Sequence, residues 1–382
     1  MRGTMLAARG YPGESLLRLE QIAIPEIGPG DVLVKVAATG LAPGPIVWWK
    51  RGQTKPLPVT PGHEIAGTVV EVGGAVAAVS LGQRVRVHAN LTCRQCLLCS
   101  TDREPFCARS SIIGGIVFGP EGVELNASYH DGGLAEYVKV PAYLLDPIPD
   151  SISLEVAARF HELGVAARAL KLAAAEPGSA IVVLAATGAM GVATIRQAPL
   201  YGVGRVIAIG RSRERLERVR ALDPGLVEVI ALEELPENWA DQGLLVPAIR
   251  RFAPGGPAAV LDYLGDGRLD AAAALSMRNS GTLVIVGSGP GPLVLPTAVL
   301  MVRGVRVIGS RSCIRRDPQE LIELVAAGRL KTADLTSHHI PLADVNEAVE
   351  EIETRRQGAW LINIRVAQGE ADAPRREEAV AR

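Results

Sequence analysis

The sequence is poor in aromatic residues, in charge of one sign and in long apolar runs. Aromatic residues make up 4% of its 382 residues, and 40 Lys and Arg stand against 41 Asp and Glu, which leaves a formal charge of -1. This balance argues against nucleic-acid binding and against attachment to a membrane surface. The longest uncharged stretch, residues 281–302, contains four glycines and three prolines, so it does not predict a membrane helix.

The N-terminal stretch also lacks a continuous apolar segment, because Gly10, Pro12 and Gly13 interrupt it early. We therefore expect no secretion signal and a soluble, cytoplasmic protein. Hydrophobic residues nevertheless make up 48% of the chain, which is enough for a large core. A length of 382 residues suits two domains of ordinary size.

Cysteine is scarce, and four of the five cysteines lie within fifteen residues. The spacing Cys93-x2-Cys96-x2-Cys99-x7-Cys107 predicts a loop that wraps one tetrahedral Zn²⁺. Four thiolates close the metal shell against water, so this zinc would be structural. An iron–sulfur cluster, whose usual spacing differs in the last interval, and a pair of disulfides are the alternatives. We expect the isolated Cys313 to be an unreactive core residue.

The two halves of the chain show different hydrophobic patterns. Short alternating strands separated by turns rich in glycine and proline dominate the first 150 residues. From Ser153 onward, apolar strands alternate with helices, beginning with a predicted helix over 154–175. This alternation predicts a doubly wound parallel sheet. Its strands are predicted at 180–185, 206–209, 258–262 and 282–286.

The first of these strands runs into a turn of small residues and then into a helix. In the G-x-G-x-x-G frame, Ala186 stands at the first position, and Gly188 and Gly191 stand at the second and third. Such a turn lets backbone N–H groups approach a pyrophosphate at the helix N-terminus, although a tight turn in any α/β protein looks similar. The predicted dinucleotide-binding residues of the turn are Ala186, Thr187, Gly188, Ala189, Met190 and Gly191.

The end of the next strand bears on the choice of cofactor. An acidic residue there accepts hydrogen bonds from the ribose 2′-hydroxyl of NAD and repels a 2′-phosphate. This chain has Gly210, Arg211 and Ser212 instead, and arginine suits a phosphate by its planar fork. We therefore predict NADP(H), with these three residues in its binding site. The alternative is that the arginines only begin a solvated helix.

Several motifs together resemble the medium-chain dehydrogenase/reductase superfamily, in its zinc-containing alcohol dehydrogenase branch. They are Gly62-His63-Glu64-x2-Gly67-x5-Gly73-x2-Val76, the four-cysteine segment, Gly133-Leu-Ala-Glu136-Tyr137, the glycine turn and Gly287-Ser288-Gly289. The resemblance implies an α/β protein with a GroES-like β-rich catalytic domain and a Rossmann domain. It also adds Gly287 and Ser288 to the cofactor site. The implied segments are 1–152 for the GroES-like domain with a zinc lobe at about 90–110, 153–305 for the Rossmann domain, 306–366 for the return to the first domain, and 367–382 for a flexible tail.

In this family a catalytic zinc polarises the substrate oxygen for hydride transfer. The resemblance assigns its ligands to position 42, where the family carries cysteine, to His63 and to Glu162. Glu64 and His161 lie beside these residues and complete the catalytic candidates. Position 42 holds Ala42, which cannot bind zinc. Either His63 and Glu162, with Glu64 as a further donor, hold a metal together with water, or these residues only form hydrogen bonds and no metal binds.

Three functions are consistent with these residues. The first is an NADP(H)-dependent oxidoreductase that interconverts an alcohol and a carbonyl compound, with an atypical or absent catalytic zinc. The second is a metal-independent reductase of an activated C=C or C=N bond, which accepts hydride with only a proton donor nearby. The third is a non-catalytic NADPH-binding scaffold. We expect a small-molecule substrate, no nucleic-acid or membrane partner, and a homodimer or homotetramer formed through the region around residues 290–300.

Overall fold

The structure is a computed structural model that describes residues 2–54, 56–332, 335–354 and 358–366. These residues form two compact units. The first unit holds the described residues up to His161 and those from Ile314 onward, and the second unit holds Glu162–Cys313. The predicted flexible tail, residues 367–382, lies outside the described residues.

The strands are numbered in chain order. They are β1 (Thr4–Arg9), β2 (Arg18–Ala23), β3 (Asp31–Gly40), β4 (Glu64–Val72), β5 (Arg84–Val87), β6 (Asn90–Leu91), β7 (Ser111–Ile112), β8 (Ile116–Val117), β9 (Tyr137–Pro141), β10 (Leu145–Pro147), β11 (Ala180–Leu184), β12 (Arg205–Gly210), β13 (Val227–Ala231), β14 (Ala259–Asp262), β15 (Thr282–Ile285), β16 (Arg306–Gly309), β17 (His338–Pro341) and β18 (Ile362–Arg365).

The helices are numbered in the same way. They are α1 (Pro43–Lys50), α2 (Leu97–Ser100), α3 (Val123–Ala127), α4 (Leu154–Ala158), α5 (Phe160–Ala173), α6 (Ala189–Gln197), α7 (Arg213–Arg220), α8 (Leu245–Phe252), α9 (Gly267–Ser276), α10 (Thr297–Arg303), α11 (Arg316–Ala326) and α12 (Val345–Thr354). Short 3-10 turns lie at Glu104–Phe106, Pro120–Gly122, Ala142–Leu144, Ala198–Tyr201, Leu232–Glu234 and Leu342–Asp344. In the part of the chain that the structure describes, each helix is too short or too polar to cross a membrane.

The first unit is built on β-sheets. Its main sheet has the strand order β10-β5-β4-β3-β18-β17, and β9 pairs with β3. Strand β3 is buried over most of its length, and Lys35 between the buried Val34 and Val36 is its one exposed residue. The antiparallel pair β1-β2 and the small sheet β6-β7-β8 complete the unit. This architecture agrees with the predicted β-rich domain.

The second unit is built on a parallel sheet with helices in the connections between its strands. Its strand order is β13-β12-β11-β14-β15-β16, and every neighbouring pair is parallel. With these six strands renumbered from one, the order reads 3-2-1-4-5-6, which is the doubly wound Rossmann order. All four predicted strands are present, but the sequence analysis missed β13 and β16. Both lie at the edges of the sheet: β16 is largely exposed, and in the mostly buried β13 the charged Glu228 interrupts the apolar pattern.

The helix predicted over 154–175 is wrong in one respect, because the structure divides it into α4 and α5. Ser153 caps α4, because its hydroxyl accepts a hydrogen bond from the backbone N–H of Val156 at 3.2 Å. Helix α4 ends at Ala158, and the C-cap residue Arg159 donates its N–H to the carbonyl of Val156 in a tight turn. The buried side chain of Arg159 forms an ion pair with Glu64, a contact that the helical pattern does not reveal.

Candidate functional site

The four clustered cysteines converge on one point. Their sulfur atoms lie within 4.8 Å of one another. The Sγ–Sγ distances are 3.9 Å for Cys93–Cys99, 3.6 Å for Cys96–Cys99 and 3.5 Å for Cys93–Cys107. Four sulfurs bound tetrahedrally to zinc at a Zn–S distance of about 2.3 Å would be roughly 3.8 Å apart. The donor set and its spacing therefore fit a closed tetrahedral metal site.

Cys93 lies in an environment that favours the thiolate form. Backbone N–H groups, first that of Gln95, lower the pKa of the Cys93 thiol to about 6, although burial opposes the shift. A thiolate is the form that binds zinc. The predicted alternative of two disulfides is not formed, because none of the five cysteines is in a disulfide. Cys313 is fully buried, in agreement with a core position.

The cysteine lobe, residues 93–107, is attached to the start of helix α11. The backbone N–H of Arg315 donates to Glu104 Oε1 at 2.7 Å, and Arg316 forms an ion pair with Asp102 at 3.1 Å. The Arg315 guanidinium also donates to the buried carboxylate of Asp146. Burial alone would raise the pKa of Asp146, but Arg86 and Arg315 outweigh it and lower that pKa.

His63 and His161 are brought together in the first unit. His63 immediately precedes strand β4, after Gly62, which has a φ of +100° that favours glycine. The two imidazole rings meet edge to face with 4.7 Å between their centroids. Both rings are buried, and burial lowers both pKa values, that of His63 to about 4. His63 and His161 are therefore neutral at physiological pH.

Glu64 forms an ion pair with Arg159, a residue that the sequence analysis missed. Arg159 Nη1 lies 2.7 Å from Glu64 Oε2, and both side chains are almost completely buried. A Cβ at Gly40, opposite Glu64 on strand β3, would collide with both partners. Burial raises the pKa of Glu64 to about 7, and the Arg159 guanidinium opposes the rise. The only signal for this pair in the sequence is one arginine that follows the apolar run Val156-Ala157-Ala158 of the predicted helix.

The tentative ligands of a catalytic zinc do not form a complete set. Ala42 precedes helix α1 and offers no donor atom, and Glu162 is buried one position beyond His161 in α5. Within residues 2–54, 56–332, 335–354 and 358–366, the cysteine lobe is the only group of three or more His, Cys, Asp or Glu side chains with donor atoms within 4.8 Å of one another. The residues around His63 thus fit a tetrahedral zinc poorly.

The glycine turn connects a buried parallel strand to the N-terminus of a helix, in the predicted order. It joins β11 to α6, with Gly188 as the N-cap of a nine-residue helix. A Cβ at Gly191 would collide with the backbone of Ala186, so this glycine permits close packing of helix and strand. A Cβ at Gly188 would meet only the carbonyl oxygen of Ala185, at 3.4 Å. The protein itself therefore leaves open space at Gly188, where a phosphate could approach the helix N-terminus.

The end of strand β12 carries no acidic side chain beside this turn. A Cβ at Gly210 would lie 3.6 Å from the methyl group of Thr187, so the two positions are neighbours. Ser212 caps helix α7 by accepting a hydrogen bond from the N–H of Arg215. Arg213 is engaged by Glu234, but Arg211 is exposed and forms no ion pair with any residue of the described ranges. Arg211 is thus available to an anionic ligand.

The predicted cofactor residues Gly287 and Ser288 follow strand β15. Cβ atoms at Gly287 and Gly289 would collide with the backbone of Leu264 and Gly265. The backbone N–H of Gly287 donates to the carbonyl of Asp262 at 3.1 Å. Close packing of two loops therefore accounts for these glycines, whether or not a cofactor touches them.

The second unit also contains a buried pair of carboxyl groups that sequence analysis missed. Asp262 ends strand β14 and Asp270 lies in helix α9, and both are almost fully buried. The Asp262 carboxylate accepts N–H groups from Leu264 at 2.8 Å and from Gly265 at 3.0 Å. Burial and the charge of Asp262 raise the pKa of Asp270 to about 8.

Two protein-family descriptions match the chain. "Alcohol dehydrogenase GroES-like domain" matches residues 28–150, and "Zinc-binding dehydrogenase" matches residues 189–327. Together they cover more than half of the chain. The predicted fold class, an α/β protein with a GroES-like and a Rossmann part, is confirmed.

Known proteins are similar over most of their length. An alcohol dehydrogenase of Geobacillus stearothermophilus is 29% identical over 88% of this chain and 92% of its own. A sorbitol dehydrogenase of Rattus norvegicus is 27% identical over 92% of both chains. The alcohol dehydrogenase structure from Thermus sp. ATN1 has a TM-score of 0.82 and 25% identity, over 95% of this chain and 100% of that one. A putative zinc-binding dehydrogenase of Sinorhizobium meliloti 1021, bound to NADP, has a TM-score of 0.81 and 26% identity over the same shares.

Proposed function

Because the chain belongs to the zinc-containing alcohol dehydrogenase branch of the medium-chain dehydrogenase/reductase family, we propose that it is an NADP(H)-dependent oxidoreductase that interconverts an alcohol and its carbonyl compound. The observation that carries the proposal is the glycine turn of the parallel sheet, with Gly210 and Arg211 beside it. The names of the relatives, alcohol, sorbitol and D-xylulose enzymes, point to a small alcohol or polyol as the substrate.

The choice of NADP(H) rests on charge. Gly210 puts no carboxylate near the ribose, and the exposed Arg211 offers a planar cation to a 2′-phosphate. The first-turn N–H groups of α6 would receive the pyrophosphate, with Gly188 giving it room. When bound, the nicotinamide supplies or accepts the hydride. The other contacts in the turn remain predictions, as do the cofactor contacts of Gly287 and Ser288. The domain segments 1–152, 153–305 and 306–366 also remain predictions.

A structural zinc at the cysteine lobe is part of the proposal. Cys93, Cys96, Cys99 and Cys107 would hold it, and the Sγ–Sγ distances of 3.5 to 3.9 Å support this assignment. A closed Cys₄ shell has no open position for substrate, so the metal there would stabilise the lobe rather than take part in the reaction.

A second candidate is a metal-independent reductase of an activated C=C or C=N bond. It is favoured by the incomplete ligand set around His63, where Ala42 offers no donor. Such a substrate is already polarised, so it needs a proton donor more than a Lewis acid.

The test is a rate measurement with both cofactors. Alcohols, polyols, ketones, aldehydes, enals and imines are offered with NADP(H) and NAD(H), to the wild type and to Arg211→Asp. We expect KM for the phosphorylated cofactor to rise roughly 10- to 150-fold in the variant, the range of a lost charged hydrogen bond, with little change for NADH. Arg218→Asp, on the exposed side of the same helix region, is the matched control.

A different experimental result would contradict each proposal. Equal effects of Arg211→Asp on both cofactors would contradict the NADP(H) assignment. Turnover of enals or imines alone would select the second candidate. No turnover of any compound, with NADPH still bound, would support the non-catalytic scaffold.

We also propose that two or more copies of the chain associate through the second unit. Strand β16 is an edge strand of the parallel sheet, and Val307 on it is 40% exposed. Val294, Met301 and Val302, on and before helix α10, are 69% to 78% exposed. An unpaired sheet edge beside a set of exposed apolar residues is typical of an interface between copies.

A further inference from the structure

A cavity of about 170 Å³ lies in the first unit, between the β1–β2 hairpin, strand β9 and the loop that precedes β9. Met5, Ile22 and Ala135 form an apolar part of its wall, and Met5 and Ala135 are almost completely buried. Tyr129 and Tyr137 add two aromatic side chains to the wall. This part of the cavity suits an apolar or aromatic group of a ligand.

The loop on one side of the cavity is fixed by backbone contacts. The N–H of Gly132 donates to the carbonyl of Thr60 at 2.7 Å, and the carbonyl of His130 accepts from the N–H of Gly114 at 3.1 Å. A Cβ at Gly132 would collide with the carbonyl oxygen of Gly62, so the two segments pack closely. The protein itself thus holds this wall in place, which lowers the cost of ordering it around a ligand.

One cation of the wall lacks a partner of opposite charge. Lys139 is half-buried on β9, and its ammonium group lies 5.6 Å from the centre of the Tyr129 ring. In the part of the chain that the structure describes, Lys139 forms no ion pair. The carboxylate of Asp31 accepts from the Tyr129 hydroxyl at 2.6 Å and from the N–H of Gly28 at 2.8 Å, not from Lys139.

The other charged or titratable groups around this cation already have partners within the wall. The Asp131 carboxylate accepts from the guanidinium of Arg9 at 2.8 Å, and its second oxygen lies 3.4 Å from His130 Nε2. His130 Nδ1 lies 3.1 Å from the carbonyl oxygen of Ala127. Lys139 is therefore the charge that a ligand could neutralise, and partial burial strengthens its attraction for an anion.

The volume limits the size of that anion. An engineered protein cavity of about 150 Å³ holds benzene, so the present one admits a six-membered ring with a small substituent. An aromatic ring would pack against the apolar wall and the rings of Tyr129 and Tyr137. A carboxylate on that ring would form a charge-assisted hydrogen bond with the Lys139 ammonium group.

We infer that this cavity is a binding site for a small aromatic carboxylate, with the ring against Met5, Ile22 and Ala135 and the carboxylate at Lys139. The inference goes beyond the proposed reaction, because the first unit alone forms the site and no cofactor or metal takes part. A binding measurement tests it without turnover, so either proposal can fail while the other stands.

The first experiment titrates the full-length chain with benzoate and follows isotope-labelled methionine methyl groups by NMR. Met5 lies in the cavity wall, and the variant Met5→Leu identifies its signal. The methionines of the second unit serve as internal references: Met190, Met277 and Met301. We expect the Met5 signal to shift saturably with a Kd on the order of 1 mM, the range for a ligand of roughly ten non-hydrogen atoms. A Met5 signal that shows no saturable shift at an about tenfold higher concentration would overturn the inference.

The second experiment asks whether Lys139 binds the carboxylate. Lys139→Met removes the charge and should raise the Kd of benzoate roughly tenfold or more, whereas Lys139→Arg keeps a cation and should bind benzoate nearly as well as the wild type. Lys35→Met is the matched control, because Lys35 is exposed on the neighbouring strand β3, and it should leave the Kd unchanged. An unchanged Kd in Lys139→Met would show that benzoate binds without this cation and would refute the site.

A comparison of ligands repeats the test in the wild type, so it does not depend on the folding of any variant. Benzamide has the shape of benzoate without its charge, and we expect it to bind at least roughly tenfold more weakly. Equal binding of benzamide and benzoate would contradict the role of Lys139. Far-UV circular dichroism and unchanged signals of the reference methionines report whether each variant is folded.

Discussion

The stability of the second unit should fall as pH rises from 6 to 8, because of one buried carboxyl group. Asp270 is 2% exposed and faces Asp262, which is fully buried and held by backbone N–H groups. Burial first, then the charges of Asp262 and Asp266, raise the pKa of Asp270 to about 8, from 3.8 for an ordinary aspartate.

The sign and size follow from proton linkage. Between these two pKa values the folded protein binds one proton more than the unfolded chain, so the free energy of unfolding decreases as pH increases. The stability that the protonated Asp270 contributes is complete below its unfolded pKa and is lost as pH rises through its folded pKa. The limiting slope is about 1.4 kcal/mol per pH unit. Between pH 6 and pH 8 the expected loss is about 2 kcal/mol.

Asp270→Asn tests this reasoning with almost no change in shape. The amide can donate to Asp262 as the protonated acid does, but it does not titrate. Urea unfolding followed by circular dichroism at pH 6, 7 and 8 should show a smaller pH slope in the variant and greater stability than the wild type at pH 8. Asp241→Asn, which alters an exposed carboxylate paired with Arg268, should keep the wild-type slope. If Asp270→Asn also keeps that slope, Asp270 is ionised in the native protein and the argument fails.

Three further predictions concern the metal lobe, the turn and the interface. Cys107→Ser should lose the bound metal by mass spectrometry and lower Tm by roughly 10 °C, whereas Cys313→Ser should keep the metal. Gly188→Ala should weaken NADPH binding in calorimetry at unchanged stability, because the nearest atom that the new methyl group would meet, the carbonyl oxygen of Ala185, lies at 3.4 Å. Gly191→Ala should lower the free energy of unfolding by about 1 to 3 kcal/mol, because its methyl group would collide with the backbone of Ala186. Met301→Asp should shift sedimentation towards the monomer, and unchanged sedimentation would place the interface elsewhere.

Much of the fold was predictable because it depends on patterns among residues that are close together in the sequence. The strand–turn–helix order around Gly188 and the succession of strands and helices after Ser153 each depend on residues a few positions apart. The division of the helix at Arg159 was not predictable in this way. The helical pattern is favourable throughout 154–173, and the pairing of that arginine with Glu64 involves a strand 95 residues earlier.

The candidate site, too, was predictable from the sequence only in part. The cysteine spacing predicted the convergence of four sulfurs, and the resemblance supplied His63 and position 42. It also assigned the third ligand to Glu162, whereas the ring that the structure places against His63 is that of His161. One position along a helix turns a side chain by about 100°, and the spacing of motifs alone does not resolve such a step.

The sequence by itself determined the two-part fold, the cysteine lobe and the absence of a thiolate at position 42, because each is a matter of residue type or short spacing. Only the tertiary structure decided that Glu64 is held by Arg159, that Gly40 makes room for this pair, and that Asp262 and Asp270 share one buried environment. These contacts join distant segments through strand register and burial. Burial, which arises when the chain folds, then raises the pKa of Glu64 and that of Asp270.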